Sequence, residues 1–263
     1  MKIAGALALA AVVAACGRDG GGDRGKLSAS GPTTTQGAYR APPTFVAVGP
    51  GPGGRVVLVG RASAGARVRL ATPDGQAVFT SADQDGVWRI VLPGAPSVRL
   101  FGLSMIRAGR AVQAEGYLAV TPAAAAAQLR AGAGARMLSG GGGPGIQTVD
   151  FDRKGGTVVS GAAAPRATVV LRVDGVEKGR TQADAMGRFA VALNEPLSLG
   201  EHGIQVDGAG SRIPRQVVVS PAPPLSEGPF RATVAPSGWR IDWMTPGGGA
   251  QTTLLLGPAA SAP

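Results

Sequence analysis

The chain has little cysteine, histidine or aromatic content: one Cys, one His, and 4% Phe, Trp and Tyr in 263 residues. With Cys16 alone, no internal disulfide can staple the fold, so any small module must rely on its own core. A lone His202 leaves few ways to assemble a metal centre or a nucleophile–base pair. Few aromatics beside 43 glycines and 21 prolines point to short strands, many turns and loose connections. Acidic residues are outnumbered by Lys and Arg, 16 to 26, giving a formal charge of +10. No basic run is interleaved with aromatics, so nucleic acid is not an expected partner. Beyond the N-terminus, no apolar run approaches the roughly 18 residues that span a bilayer.

What is present is a repeated plan. Residues 157–193 restate residues 56–92 at a constant offset of 101, which pairs Gly60 with Gly161, Val68 with Val169, Leu70 with Leu171, Asp83 with Asp184, Gly86 with Gly187 and Trp88 with Phe189. Only Asp74-Gly75 slips, matching Asp174-Gly175 at an offset of 100. Val169, Leu171 and Val173 alternate with Val170, Arg172 and Asp174, the period-two pattern of a strand with one face inward. Asp174-Gly175 supplies residues that tolerate the positive φ of a tight hairpin. A polar return strand follows, and Phe189, Val191 and Leu193 alternate inward again after Gly187. Short strand pairs with regularly spaced turns predict an antiparallel sandwich or barrel.

The expected fold class is therefore all-β: one module over 44–122, a second over 146–220, and an Ala/Gly-rich linker over 123–145 with a turn or two of helix. A Pro-rich spacer and C-terminal β-hairpin occupy 221–263. In that hairpin Trp239, Ile241 and Trp243 alternate with Arg240, Asp242 and Met244 before Pro246-Gly247-Gly248-Gly249 turns the chain. An isolated hairpin is marginal in water, so the tryptophan face needs a cover. Docking onto the second module is the simpler expectation, and an aromatic platform for a partner or glycan ring is the alternative.

The runs VVSGAAAPRATVVLRVDG, ADAMGRFAVAL and LSLGEHGIQV resemble bacterial immunoglobulin-like modules, which occur in tandem on cell-surface and periplasmic proteins. The residues that carry the resemblance are Gly161 to Pro165, Asp174-Gly175, Asp184 to Phe189, and Gly200 to Gly203. The first module departs from the pattern, with Thr72-Pro73 before its Asp-Gly pair and no late Gly-x-His turn. The resemblance implies two immunoglobulin-like β-sandwich modules in tandem, with a structural or protein-interaction role and no catalysis.

At the N-terminus, Lys2 precedes an apolar stretch over 3–15 that ends in Val13-Ala14-Ala15-Cys16. This looks like a bacterial lipoprotein signal. That resemblance implies cleavage before Cys16, a lipid on its thiol, and a membrane partner through that lipid, each buried methylene contributing about 0.8 kcal/mol. The residue after Cys16 is Gly17 and not an aspartate, which resembles the pattern of enterobacterial lipoproteins sent onward to the outer membrane. Residues 16–43 read as a flexible tether.

The first module carries eight arginines against four acidic residues. Arg67, Arg69 and Arg89 each fall opposite inward residues, so if their strands share a sheet they form a basic outer face for an anionic envelope polysaccharide. Trp239 and Trp243 are the other candidate contacts. Calcium would look to Asp74, Asp83 and Asp85, although turn chemistry accounts for the Asp-Gly spacing better. His202 reads as a turn residue. A hydrolase would depend on scattered carboxylates such as Asp150 and Asp152, which mean nothing without a cleft around them. No cofactor is expected. The reading reached from sequence is a non-catalytic, lipid-anchored envelope protein, with polysaccharide binding as the alternative and a hydrolase as the remote one.

Overall fold

Alternating aliphatic residues build the strands, and Asp-Gly pairs or single glycines end them. The computed structural model describes residues 40–141, 143–209 and 214–257. Cys16, with Val13, Ala14 and Ala15, lies outside the described residues, as does the tail from 258. Residues from Arg40 onward form one unit, and among the described residues no helix is long and apolar enough to cross a membrane.

The first half contains β1 (Thr44–Pro50), β2 (Val56–Arg61), β3 (Arg67–Ala71), β4 (Ala77–Ser81), β5 (Val87–Leu92), β6 (Arg99–Arg107), β7 (Arg110–Gln113), β8 (Tyr117–Val120), β9 (Ala126–Leu129) and β10 (Arg136–Ser139). The second contains β11 (Gly145–Asp152), β12 (Thr157–Ala162), β13 (Thr168–Val173), β14 (Val176–Gln182), β15 (Arg188–Ala192), β16 (Gly200–Asp207) and β17 (Arg215–Val219). Then come β18 (Phe230–Ala235), β19 (Gly238–Met244) and β20 (Ala250–Leu256). They form four antiparallel sheets: β1-β2-β5; β10-β9-β8-β6-β3-β4, with β7 on β6; β15-β12-β11-β20-β19-β18; and β14-β13-β16-β17. The class is all-β, and each half is a β-sandwich.

The sequence repeat is a structural repeat. Strands β2, β3 and β5 correspond to β12, β13 and β15, and the register slips between Phe45 and Ala47 in β1 as it does between Ile146 and Thr148 in β11. Asp83 Oδ1 accepts from the backbone N–H of Asp85 and Val87 at 2.9 and 2.8 Å. Asp184 Oδ1 does the same for Met186 and Arg188, at 2.8 and 2.9 Å. The same local hydrogen bonds thus turn both copies.

Three buried clusters lie between the four layers. The first sandwich is filled by Leu58, Val68, Leu70, Trp88, Phe101 and Leu118, and the second by Val149, Phe151, Val169, Leu171, Phe189 and Leu254. The third joins the sandwiches: Leu100, Ala119, Ala127 and Leu129 on the outer face of the first meet Ile241, Trp243 and Leu255. We call this contact the seam.

Two sequence expectations change here. Residues 123–145 do not make a helical linker. They supply β9 and β10, because alanine is small enough for β9 to be buried on both faces, with Ala126 in the first core and Ala127 in the seam. The C-terminal hairpin does add to the second sandwich, through β20 on β11, but its tryptophan face is covered by the first. Late in the first sandwich, β7 and β8 are separate strands, with Gly116 at φ +64° between them.

Candidate functional site

Arg67 and Arg69 leave β3 opposite Val68 and Leu70, whereas Arg89 leaves β5 opposite Trp88 and Ile90. Strands β3 and β5 belong to opposing sheets. The three arginines therefore do not make one basic face, because the first core separates Arg89 from the other two. Arg67 stacks on Phe79, 4.2 Å from the ring centroid. Arg69 lines a 450 Å³ cleft with Tyr117, Leu100 and Met244 at one end of the seam.

Trp243 is fully buried. Its ring meets Tyr117 edge-on at 5.8 Å, and its indole N–H donates to Thr253 Oγ1 at 3.1 Å. As a core residue it offers no surface to a glycan. Trp239 is half-buried and lines an 820 Å³ cleft with Arg215, Gln216 and Val234.

The seam contains a buried carboxylate. Asp150 alternates with the core residues Val149 and Phe151, so the strand period aims it at the first sandwich. Its Oδ1 accepts from Thr253 Oγ1 at 2.5 Å and Gln251 Nε2 at 3.2 Å. Its Oδ2 accepts from the backbone N–H of Ala135 at 2.7 Å. Thr148 Oγ1 donates to the Ala135 carbonyl at 3.2 Å, and Gln251 Oε1 accepts from the Gly132 N–H at 3.1 Å. These bonds tie the β9–β10 turn of the first sandwich to β11 and β20 of the second. Burial pushes the Asp150 carboxyl up to about 6, while its hydrogen bonds and Arg130 pull the other way.

Asp150 and Asp152 do line one cleft, of 420 Å³, with Thr245 and Gln251. A catalytic acid must reach substrate, yet Asp150 is 2% exposed and both its oxygens accept internal donors. Asp152 Oδ1 in turn accepts from the N–H groups of Lys154 and Gly156 at 2.7 and 3.1 Å, closing the β11–β12 turn. Both carboxylates hold the fold.

His202 has more partners than the sequence suggested. Its Nδ1 lies 2.8 Å from Asp174 Oδ2, and its Nε2 lies 2.9 Å from the Ser198 carbonyl and 3.4 Å from the Ser198 hydroxyl. A Ser–His–Asp order invites a triad reading, but a base needs Nε2 free to accept. Here the Ser198 carbonyl faces Nε2 and a carboxylate faces Nδ1, so each nitrogen has an acceptor in place when the ring is protonated. The group clamps the Asp174-Gly175 hairpin to β16. Of the calcium candidates, Asp83 is committed to its turn and Asp74 accepts from Gln76 Nε2 at 3.1 Å. Among the described residues no three His, Cys, Asp or Glu side chains, Asp85 included, converge to hold a metal.

Sequence reasoning missed a second polar group at the seam. Arg130 and Arg136, assigned to the linker, meet Arg188 of β15 around a 280 Å³ cleft. No local pattern signals this, because the three belong to different sandwiches and come together only when the seam closes.

No family model matches the chain, and no curated protein matches it. Seven chains of solved structures match. One is a "Biofilm associated protein - BSP domain", 16% identical with a TM-score of 0.24. The match covers 63% of this chain and 27% of that one, so this chain spans about a quarter of that structure's length.

Proposed function

We propose that this chain is a non-catalytic, lipid-anchored protein of the bacterial cell envelope, held at the outer membrane by a lipid on Cys16. Its two sandwiches, which we read as immunoglobulin-like, act there as one rigid body in a structural or protein-contact role. The observation that carries the reading is the seam: a third hydrophobic cluster with a hydrogen-bonded carboxylate fuses tandem modules that sequence would leave loosely linked. Groups with catalytic character, Asp150 and His202, are engaged in holding that body together. The N-terminal pattern around Cys16 supports the anchor. Palmitate labelling with and without globomycin, in wild type and Cys16→Ala, followed by membrane separation, tests it. Label that disappears on substitution, with wild type in the outer membrane, is expected. Unlabelled soluble wild type would overturn the anchored reading.

A polysaccharide partner is the second reading, favoured by the 820 Å³ cleft in which Trp239 lies beside Arg215 and Gln216. An aromatic face next to hydrogen-bonding groups suits a sugar ring. Affinity electrophoresis in envelope polysaccharide should show a retardation that Trp239→Ala removes. Equal mobility of the two proteins would discard this reading.

A further inference from the structure

We propose that the three-arginine cleft at the seam binds a compact oxyanion: a free phosphate or sulfate, or the carboxylate of a uronic acid. It is separate from the Trp239 cleft and does not depend on the lipid anchor.

The walls come from both sandwiches. Arg130 and Arg136 enter from the β9–β10 hairpin, Gln147 from the register slip in β11, Ser160 from β12, and Arg188 from β15. The guanidiniums are held in place before any ligand arrives. Arg130 donates from Nε to the Gly134 carbonyl and from Nη2 to the Ala133 carbonyl, both at 3.0 Å. Arg136 Nη2 donates to Gln128 Oε1 at 2.9 Å and to the Phe45 carbonyl at 3.2 Å. Arg188 is fixed by Asp184 Oδ2 at 2.9 Å. Asp184 is the one carboxylate on the wall, and Glu115 reaches Arg130 only at 4.0 Å. Positive charge therefore remains in excess.

Among the described residues, two donors carried by the cleft wall have no partner. Arg136 Nε and Ser160 Oγ are buried without a hydrogen bond, and the Ser160 residue is only 5% exposed. The backbone of Gly134 covers that hydroxyl so closely that a Cβ there would lie 2.4 Å from Oγ. Leaving a buried donor unpaired is costly, and gathering arginines adds repulsion. Burial, then the charges of Arg188 and Arg130, hold the Arg136 guanidinium below its usual value. An oxyanion relieves both costs, because it accepts from several N–H and O–H groups and neutralises the excess. With a volume of 280 Å³ the cleft admits a phosphate or a single uronate.

Isothermal titration and thermal unfolding of the full chain with sodium phosphate, sodium sulfate and sodium glucuronate, against sodium chloride at matched ionic strength, test this. A saturable heat and a raised Tm with phosphate or sulfate would identify a free-anion site, and the same response to glucuronate alone would identify a uronate site. Arg188→Gln and Ser160→Ala should each weaken binding about tenfold, the loss of one charge-assisted or buried hydrogen bond. Ser160→Ala should also leave the anion-free protein as stable as wild type or more so, which keeps the test valid if Arg188→Gln fails to fold. Arg89→Gln, on the far sheet, should change nothing. Equal responses to all four salts, or saturable binding untouched by Arg188→Gln and Ser160→Ala, would overturn the proposal.

Discussion

The backbone N–H of Ala135 donates to the carboxylate of Asp150 at 2.7 Å, joining one sandwich to the other. Because burial raises Asp150 from 3.8 to about 6, the folded protein keeps this proton to higher pH than the unfolded chain does. The contribution is fully present below the unfolded value and is lost as pH rises through about 6, on the order of 3 kcal/mol in all. Denaturant midpoints measured from about pH 4 to about pH 7 should fall in wild type. Asp150→Asn should flatten that part of the slope, at a fixed cost of about 1–3 kcal/mol for the donor it leaves unmatched. An unchanged slope would assign the titration to another group.

Arg240 and Asp242 form a pair at 2.9 Å, with the Asp242 side chain 1% exposed. Thr252 Oγ1 donates to Asp242 at 2.6 Å, and Arg240 also holds the chain leaving β17 through Ser220 and Pro221. Removing the arginine alone strands a buried charge, so Arg240→Ala should cost about 3–5 kcal/mol by chemical denaturation. Replacing both residues with leucine should recover much of that, since a paired burial is balanced by its own desolvation. A loss under about 1 kcal/mol in Arg240→Ala would mean water reaches Asp242.

The strands most legible in the sequence are those in which one face meets a core and the other meets solvent. Val68 and Leu70, or Val169 and Leu171, are buried while Arg67, Arg69, Val170 and Arg172 beside them are half-buried or exposed, because only one side is covered. That rule fails in β9, where Ala126, Ala127, Gln128 and Leu129 are all buried. A strand enclosed on both faces loses its period, and an alanine run then reads as helix. The hairpin shows the other limit. Alternation identified the face of Trp239, Ile241 and Trp243 as needing cover, but which sandwich covers it depends on partners far away in sequence, Leu100 and Ala119 among them. The arginine cleft and the acceptor role of Asp150 have the same cause.

The clamp at His202 works within limits of pH that follow from its two partners. Asp174 raises His202 above 6.5, and that contribution is full below the unfolded value and lost as pH rises through the folded one. The hydrogen bonds of His202 and the Gly203 N–H lower Asp174 from 3.8, so its contribution is present above that value and lost as pH falls through the lowered one. The clamp is whole between about pH 4 and about pH 6.5, with a small effect on stability because Asp174 is half exposed. NMR titration of the only imidazole should give a value above 6.5 that moves back towards it in Asp174→Asn. An unmoved titration would mean the carboxylate is not its cause.

Gly60 and Gly161 occupy equivalent places in the repeat, and each lies under an aromatic ring. A Cβ at Gly60 would sit 2.1 Å from the Thr44 carbonyl oxygen and 2.2 Å from the Trp88 ring. At Gly161 it would sit 2.0 Å from the Gly145 oxygen and 2.8 Å from Phe189. The constraint is close approach and not backbone conformation, since neither residue is among those with positive φ. The ring can shift, but the oxygen belongs to the strand paired alongside and cannot move without opening β1–β2 or β11–β12. Gly60→Ala and Gly161→Ala should each therefore cost about 3 kcal/mol, the upper end for overpacking, read as a lowered denaturant midpoint. Adding Phe189→Leu to Gly161→Ala separates the two obstacles. Because the carbonyl remains, the smaller side chain should restore little of the loss, whereas full recovery would show that the ring alone requires glycine there.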